Sequence, residues 1–177
     1  MRNKMTMLGL FVAAAVALGC GAGGGSSDAA SGSDSGDAKG DDKPKTAKIG
    51  EAALDGKFEF TVTKLKCGVA KVGGDFLEEK AQGQFCLVTV KVKNIGKEPQ
   101  YFSDSDQKGY APDGTEYSTD SGAGISANKD ASTIFNEINP GNQVTGVLVF
   151  DIPKDAKLAK LELHDSAFSG GVEVSLG

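Results

Sequence analysis

Cys86, Val88, Val90 and Val92 recur at every second residue, with Thr89, Lys91 and Lys93 between them. That period fits a half-buried strand whose apolar side chains share one face; wound into a helix, the same residues would scatter around it. It places Cys86 in the core. The alternation also runs through Phe58, Phe60 and Val62, then changes phase to Leu65 and Cys67, which predicts a bulge near Thr63-Lys64. The strongest apolar run is Val144 to Ile152. Val144, Leu148, Phe150 and Ile152 keep one phase while Val147 and Val149 fill the other, so this strand is expected to be covered on both faces. Shorter strand candidates are Tyr101-Phe102, Lys108 to Ala111, Thr115 to Tyr117, Thr133 to Phe135, Leu158 to Leu163 and Val172 to Leu176. Turn chemistry separates them at Asn94-Ile95-Gly96, Pro112-Asp113-Gly114, Asn139-Pro140-Gly141-Asn142 and Pro153-Lys154-Asp155. The Gly/Ser/Asp/Asn-rich stretch from Ser118 to Ala131 is expected to be a surface loop, either a recognition loop or a tolerated insertion. Sustained 3.6-residue periodicity is absent, apart from a single turn near Asp75 to Ala81. Seven to nine short strands within residues 47–177 predict one all-β sandwich, long enough to bury its own core.

The first 46 residues obey different rules. Arg2 and Lys4 precede an apolar run of about 12 residues, Met7 to Leu18, the length of a signal-peptide core, where a membrane-spanning helix needs roughly 20. The run ends in Ala17-Leu18-Gly19-Cys20, which resembles the lipobox of bacterial lipoproteins. The resemblance implies cleavage before Cys20, a diacylglyceryl group on its sulfur and palmitate among the acyl chains. Leu three places before the Cys and a small residue two before are the family's preference; Ala17 and Leu18 stand there instead. The alternative is an ordinary secretory signal with a Cys that falls by chance near its cut. Residues 21–46 hold seven Gly, five Ser, five Asp, four Ala, three Lys, one Pro and one Thr, and no large apolar side chain. Nothing in that composition offsets the entropy of ordering, so a disordered tether is expected. Its 26 residues have a root-mean-square reach of about 28 Å. The organisation is thus a signal peptide over 1–19, a lipidated Cys and flexible tether over 20–46, and a folded head over 47–177.

Lipid on Cys20 would leave Cys67 and Cys86 as an even remainder in an oxidising compartment, where one disulfide is expected. Gly68 to Phe85 reads as a loop between two strands, so the bridge would staple the base of a long hairpin. Two buried free thiols, or a catalytic thiol, are the rival readings. A catalytic Cys needs a base, and the single His of the chain, His164, has no local connection to either Cys.

Several segments together carry a likeness to a known family. They are Val88 to Asn94 with Gly96-Lys97-Glu98-Pro99, then Asp113-Gly114-Thr115-Glu116-Tyr117, then Pro140-Gly141-Asn142-Gln143-Val144-Thr145-Gly146-Val147-Leu148-Val149-Phe150 followed by Ile152-Pro153. They resemble a domain-of-unknown-function family of bacterial lipoproteins with a telokin-like, immunoglobulin-like fold, over about residues 47–177. The resemblance implies a β-sandwich attached at a surface, and it supplies no catalytic or ligand residues.

The chemistry available to the chain is narrow. With 19 Lys+Arg against 24 Asp+Glu the net charge is −5, which argues against phosphate recognition and hence against a nucleic-acid partner. All three Met fall before Cys20, so the mature chain offers one His and two expectedly bonded Cys, and no soft-metal site or cofactor is expected. Ser103 to Gly109 resembles a calcium loop, but Lys108 stands where an oxygen ligand is needed and Thr115 where the bidentate Glu belongs. A looser site using Asp104, Asp106 or Asp113 stays open beside the alternative of solvated carboxylates. His164-Asp165-Ser166 contains the residue types of a hydrolase triad, yet neighbours on a strand point to opposite faces and no G-x-S-x-G elbow exists. Glu78-Glu79 lacks the apolar pocket that general acid catalysis needs. An enzyme is therefore not expected. What remains is surface: Tyr101, Phe102, Tyr110 and Tyr117 are either core and cross-strand pairs or the anchors of an interface. The reading favours a membrane-anchored, extracytoplasmic lipoprotein. Its head would meet an envelope or extracellular protein, with a small-ligand or calcium-binding lipoprotein as the alternative.

Overall fold

The computed structural model describes residues 46–74, 77–128 and 136–177. The expected signal peptide, Cys20, residues 21–45 of the expected tether, the strand expected at Thr133 to Phe135 and part of the turn expected near Asp75 lie outside them. Among the described residues eleven strands follow in order: β1 (Ala47–Lys48), β2 (Ala52–Asp55), β3 (Phe58–Val72), β4 (Glu79–Asn94), β5 (Gln100–Tyr101), β6 (Lys108–Tyr110), β7 (Glu116–Ser118), β8 (Glu137–Ile138), β9 (Gln143–Ile152), β10 (Lys160–Leu163) and β11 (Val172–Ser175). Nine of them form two sheets, ordered β1-β11-β10-β6-β7 and β2-β3-β4-β9; β5 and β8 pair as a small ribbon. The sheets face each other as an immunoglobulin-like β-sandwich. The chain crosses between them early, because β1 pairs with β11 while β2 pairs with β3.

The core lies where the alternating residues said it would. Phe58, Phe60 and Val62 of β3, Cys86, Val88, Val90 and Val92 of β4, and Leu148, Phe150 and Ile152 of β9 are buried against Leu161, Leu163 and Val174 of the opposite sheet. Asn94 ends β4 fully buried and fully bonded. Its Nδ2 donates to the carbonyls of Glu98 (2.8 Å) and Ile138 (2.7 Å), and its Oδ1 accepts from the Gly96 amide (2.8 Å). Its backbone pairs with Asn142 and Gly141. One amide thus ties the Gly96-to-Pro99 turn and the Pro140-Gly141 turn together, which gives a physical reason for those two segments to occur as a set. Gln107 does the same for β10: its Oε1 accepts from the His164 amide (2.9 Å) while its Nε2 donates to the carbonyls of His164 (3.0 Å) and Ser103 (2.7 Å).

Two expectations need correction. The long loop after Cys67 is largely strand: β3 runs on to Val72 and β4 starts at Glu79. Its period was hidden because the register shifts between Val62 and Lys64, Lys66 and Val69, and Val69 and Lys71, moving the apolar side chains to the other face. Val69, Val72, Ala81 and Phe85 form a second core outside the four-stranded sheet. The expected surface loop covers that core. Ser121–Ala127 is a helix, α1, started by Asp120, whose Oδ1 accepts from the Ala123 amide at 2.9 Å. Its Gly/Ser-rich sequence has weak helix propensity, but small side chains let it lie close on the sheet, with Ala123 buried beside Val149 in the outer core and Ala127 packed against that core. This is why both phases of β9 are apolar. Among the described residues no helix is long and apolar enough to cross a membrane.

Candidate functional site: the polar face of the five-stranded sheet

Strand alternation splits β6, β7, β10 and β11 cleanly. Gly109, Leu161, Leu163 and Val174 are buried, and Tyr117 packs with them. The outward set is Lys108, Tyr110, Glu116, Ser118, Lys160, Glu162 and Glu173, with His164 just past the end of β10. Pairing sets Tyr110 between Lys160 and Glu116, Lys108 between Glu162 and Ser118, and Glu162 opposite Glu173.

These groups form a continuous polar lattice. Lys160 is ion-paired with Glu173 and sits 4.9 Å over the centre of the Tyr110 ring. The Tyr110 hydroxyl donates to Glu116 Oε2 at 3.2 Å, and Lys108 Nζ reaches Glu116 Oε1 at 3.2 Å and donates to Ser118 Oγ at 3.3 Å. His164 Nε2 lies 2.9 Å from Glu162 Oε1, and Nδ1 lies 3.2 Å from Ser169 Oγ. A hollow of about 360 Å³ opens between Lys108, Tyr110, Glu162 and His164. Burial, then the carboxylates of Glu162, Glu116 and Glu173, push the Tyr110 phenol up to about 12. A raised folded-state value means that the neutral phenol stabilises the fold below the ordinary ionisation near 10, and that this contribution is lost as pH climbs toward 12. A spectrophotometric titration should therefore show one of the three tyrosines ionising near 12, and Tyr110→Phe should remove that step and flatten the loss of stability over the same range. Three phenols all ionising near 10 would contradict this arrangement.

The outward side chains pair with one another through hydrogen bonds and ion pairs. Glu162, His164 and Ser169 lie in a line that has the connectivity of an acid–His–Ser relay. The Ser169 hydroxyl also lies 3.1 Å from the Ser166 carbonyl, which competes with the ring for its single proton. In His164-Asp165-Ser166 itself, Asp165 faces away: it accepts from the Lys57 amide (3.1 Å) and the Ser166 hydroxyl (2.9 Å). Glu78 bonds Lys71 at 2.6 Å, and that hydrogen bond holds its exposed carboxyl below the usual range.

The four aromatics singled out from the sequence part company. Tyr101 stands 67% exposed on β5. Phe102 is core rather than interface, 3% exposed, with its ring centre 6.1 Å from Phe58 and 6.0 Å from Phe60. Tyr110 is on the polar face and Tyr117 on the inner one, so no single surface gathers all four. Asp104 and Asp106 form a 3-10 turn before β6 while Asp113 lies beyond it, capping the Thr115 amide at 3.0 Å, so these carboxylates do not converge. No group of three or more His, Cys, Asp or Glu among the described residues is placed to hold a metal ion. Cys67 and Cys86 are joined through their sulfurs within the β3–β4 ladder, with Cα atoms 3.9 Å apart. Cys67 is exposed and Cys86 is buried, and the bridge sits inside the extended hairpin instead of at its base. Of the Lys160-Glu162-His164 row only His164 stood out in the sequence, although Lys160-Leu161-Glu162-Leu163-His164 carries a strict alternation of polar and apolar residues.

Known proteins share this scaffold. The uncharacterized protein YxkC of Bacillus subtilis is 35% identical over 119 residues, which is 63% of this chain and 66% of that one. The secreted protein MPT63 of Mycobacterium tuberculosis superimposes with a TM-score of 0.54 at 20% identity, over 75% of this chain and 96% of that one. The yjhA protein of Bacillus subtilis gives 0.56 at 18% identity, over 75% and 100%. At such identities these two structures speak for the fold alone. Residues 47–174 match the family model DUF4352, a domain of unknown function, and the chain belongs to that family.

Proposed function

We propose that this chain is a lipid-anchored extracytoplasmic protein whose immunoglobulin-like head serves as an interaction or accessory module in the cell envelope. The observation that carries this reading is the order of its N-terminus: a short charged head, an apolar run of about 12 residues, Ala17-Leu18-Gly19-Cys20, then 26 residues without a large apolar side chain. Acyl chains on Cys20 would bury CH₂ groups at about 0.8 kcal/mol each, and two or more chains hold a protein at a bilayer. The tether would then give the head a reach of tens of ångströms from the surface. The polar lattice on the five-stranded sheet supports a protein partner, because its fixed pattern of Glu, Lys, Tyr and His offers charge-matched hydrogen bonding without a deep cleft.

A photo-crosslinking residue at Ser118, on the polar face, is expected to capture one discrete envelope or extracellular protein in living cells. The same adduct should be lost with Cys20→Ser, which leaves the head unanchored. An absence of any protein adduct from Ser118 and from other exposed positions of the head would overturn the reading.

A further inference from the structure

Among the described residues β9 is the last strand of its sheet, and none of their strands lies beside one row of its backbone groups. Residues of the α1 segment meet that row. Asn128 Oδ1 accepts from the Val147 amide at 2.9 Å, and Asn128 Nδ2 donates to the Val147 carbonyl at 2.9 Å. The Asp120 amide donates to the Val149 carbonyl at 2.7 Å. Asn128 thus presents to Val147 the donor and acceptor that a residue of a neighbouring strand would present. The same side chain caps α1 by donating to the Gly124 carbonyl at 2.7 Å. Ala123 and Ala127 belong to the same outer core as Val147 and Val149.

What lies beneath explains why such a device would be needed. Gln143 to Phe150 has no charge and no Pro, and five of its eight residues are Val, Leu or Phe. Its register with β4 is continuous from Gln143 to Ile152, without a bulge. Edge strands are ordinarily protected by Lys, Pro, a bulge or short length, and β9 uses none of these. Two copies of β9 paired antiparallel about Val147 would set Thr145 against Val149 and Gln143 against Asp151, a self-complementary two-fold contact that brings no like charges together.

We propose that residues 119–128 act as an edge guard: they occupy the β9 edge that would otherwise pair with β9 of a second copy of this chain. Sedimentation equilibrium of the full chain in detergent micelles tests this. The unmodified chain should have the mass of one copy and Asn128→Leu that of two. Adding Thr145→Lys, a charge at an exposed edge position, should return the mass to one copy. A cooperatively melting Asn128→Leu chain that stays single overturns the proposal, and so does a dimer that Thr145→Lys leaves intact. Hydrogen exchange on the unmodified chain needs no variant to fold: the Val147 amide should exchange at least about tenfold more slowly than in the unfolded chain. Exchange at the unfolded rate would mean that the guard is not in place.

Discussion

Phe60→Ala should destabilise the head by about 3–5 kcal/mol, the range for deleting a large buried aromatic. Phe60 has no exposed surface, and its ring centre lies 5.8 Å from Phe58 and 6.0 Å from Phe102 in tilted contacts that alanine cannot replace. In the ladder it stands opposite Ala53 and Val92, so the cavity would open between two paired strands with little room to collapse. Against a total stability of about 5–15 kcal/mol this is a large fraction, and the melting temperature should fall by about 10–20 °C. Tyr101→Ala, at an exposed aromatic in the same stretch of sequence as Phe102, should change stability by no more than about 0.5 kcal/mol. Denaturant unfolding of both variants is the check. Equal costs would mean that the aromatics are not divided between core and surface as described.

Reducing the Cys67–Cys86 bridge should lower stability by about 3 kcal/mol, the chain-entropy value for a loop of this size, whose ends are 19 residues apart. The loss acts on the unfolded chain, which gains freedom. The folded chain keeps the β3–β4 ladder and the outer core of Val72, Phe85, Ala123 and Val149. Reduced protein should therefore retain its far-ultraviolet strand signal at 25 °C and melt about 10 °C earlier, taking roughly 3–4 °C per kcal/mol at this size. Exposure of Cys67 gives a reductant access. Coincident unfolding curves with and without reductant would show that the bridge contributes nothing.

The parts of this fold that were legible in the sequence are those where one face is apolar and the register is unbroken. Phe58 to Val62, Cys86 to Val92 and Leu148 to Ile152 announced the inner face by period alone, and the phase change at Thr63-Lys64 announced the first bulge. Beyond Lys66 two further register shifts erase the period, so Val69 and Val72 looked like loop residues although they face a second core. α1 was illegible for a different reason. Its contacts are made by Ala123, Ala127 and the amide of Asn128, and a stretch of small and polar residues looks the same whether it is packed or solvated. Val147 and Val149 did signal a cover on the outer face without saying what covers it. The candidate site was partly legible: Tyr110 stood out as either a core or cross-strand residue or an interface anchor, but its partners come from β7, β10 and β11, and only strand order brings Glu116, Lys160, Glu162 and Glu173 around it.

The proposed lipid on Cys20 would hold the head at a membrane, and intact-mass measurement of the protein extracted from membranes tests this. The expected product is a chain that begins at Cys20 and carries the added mass of a diacylglyceryl group and its acyl chains, and Cys20→Ser should abolish both the added mass and the membrane fraction. A chain recovered in the soluble fraction with an unmodified Cys20, or one still carrying residues 1–19, would contradict it.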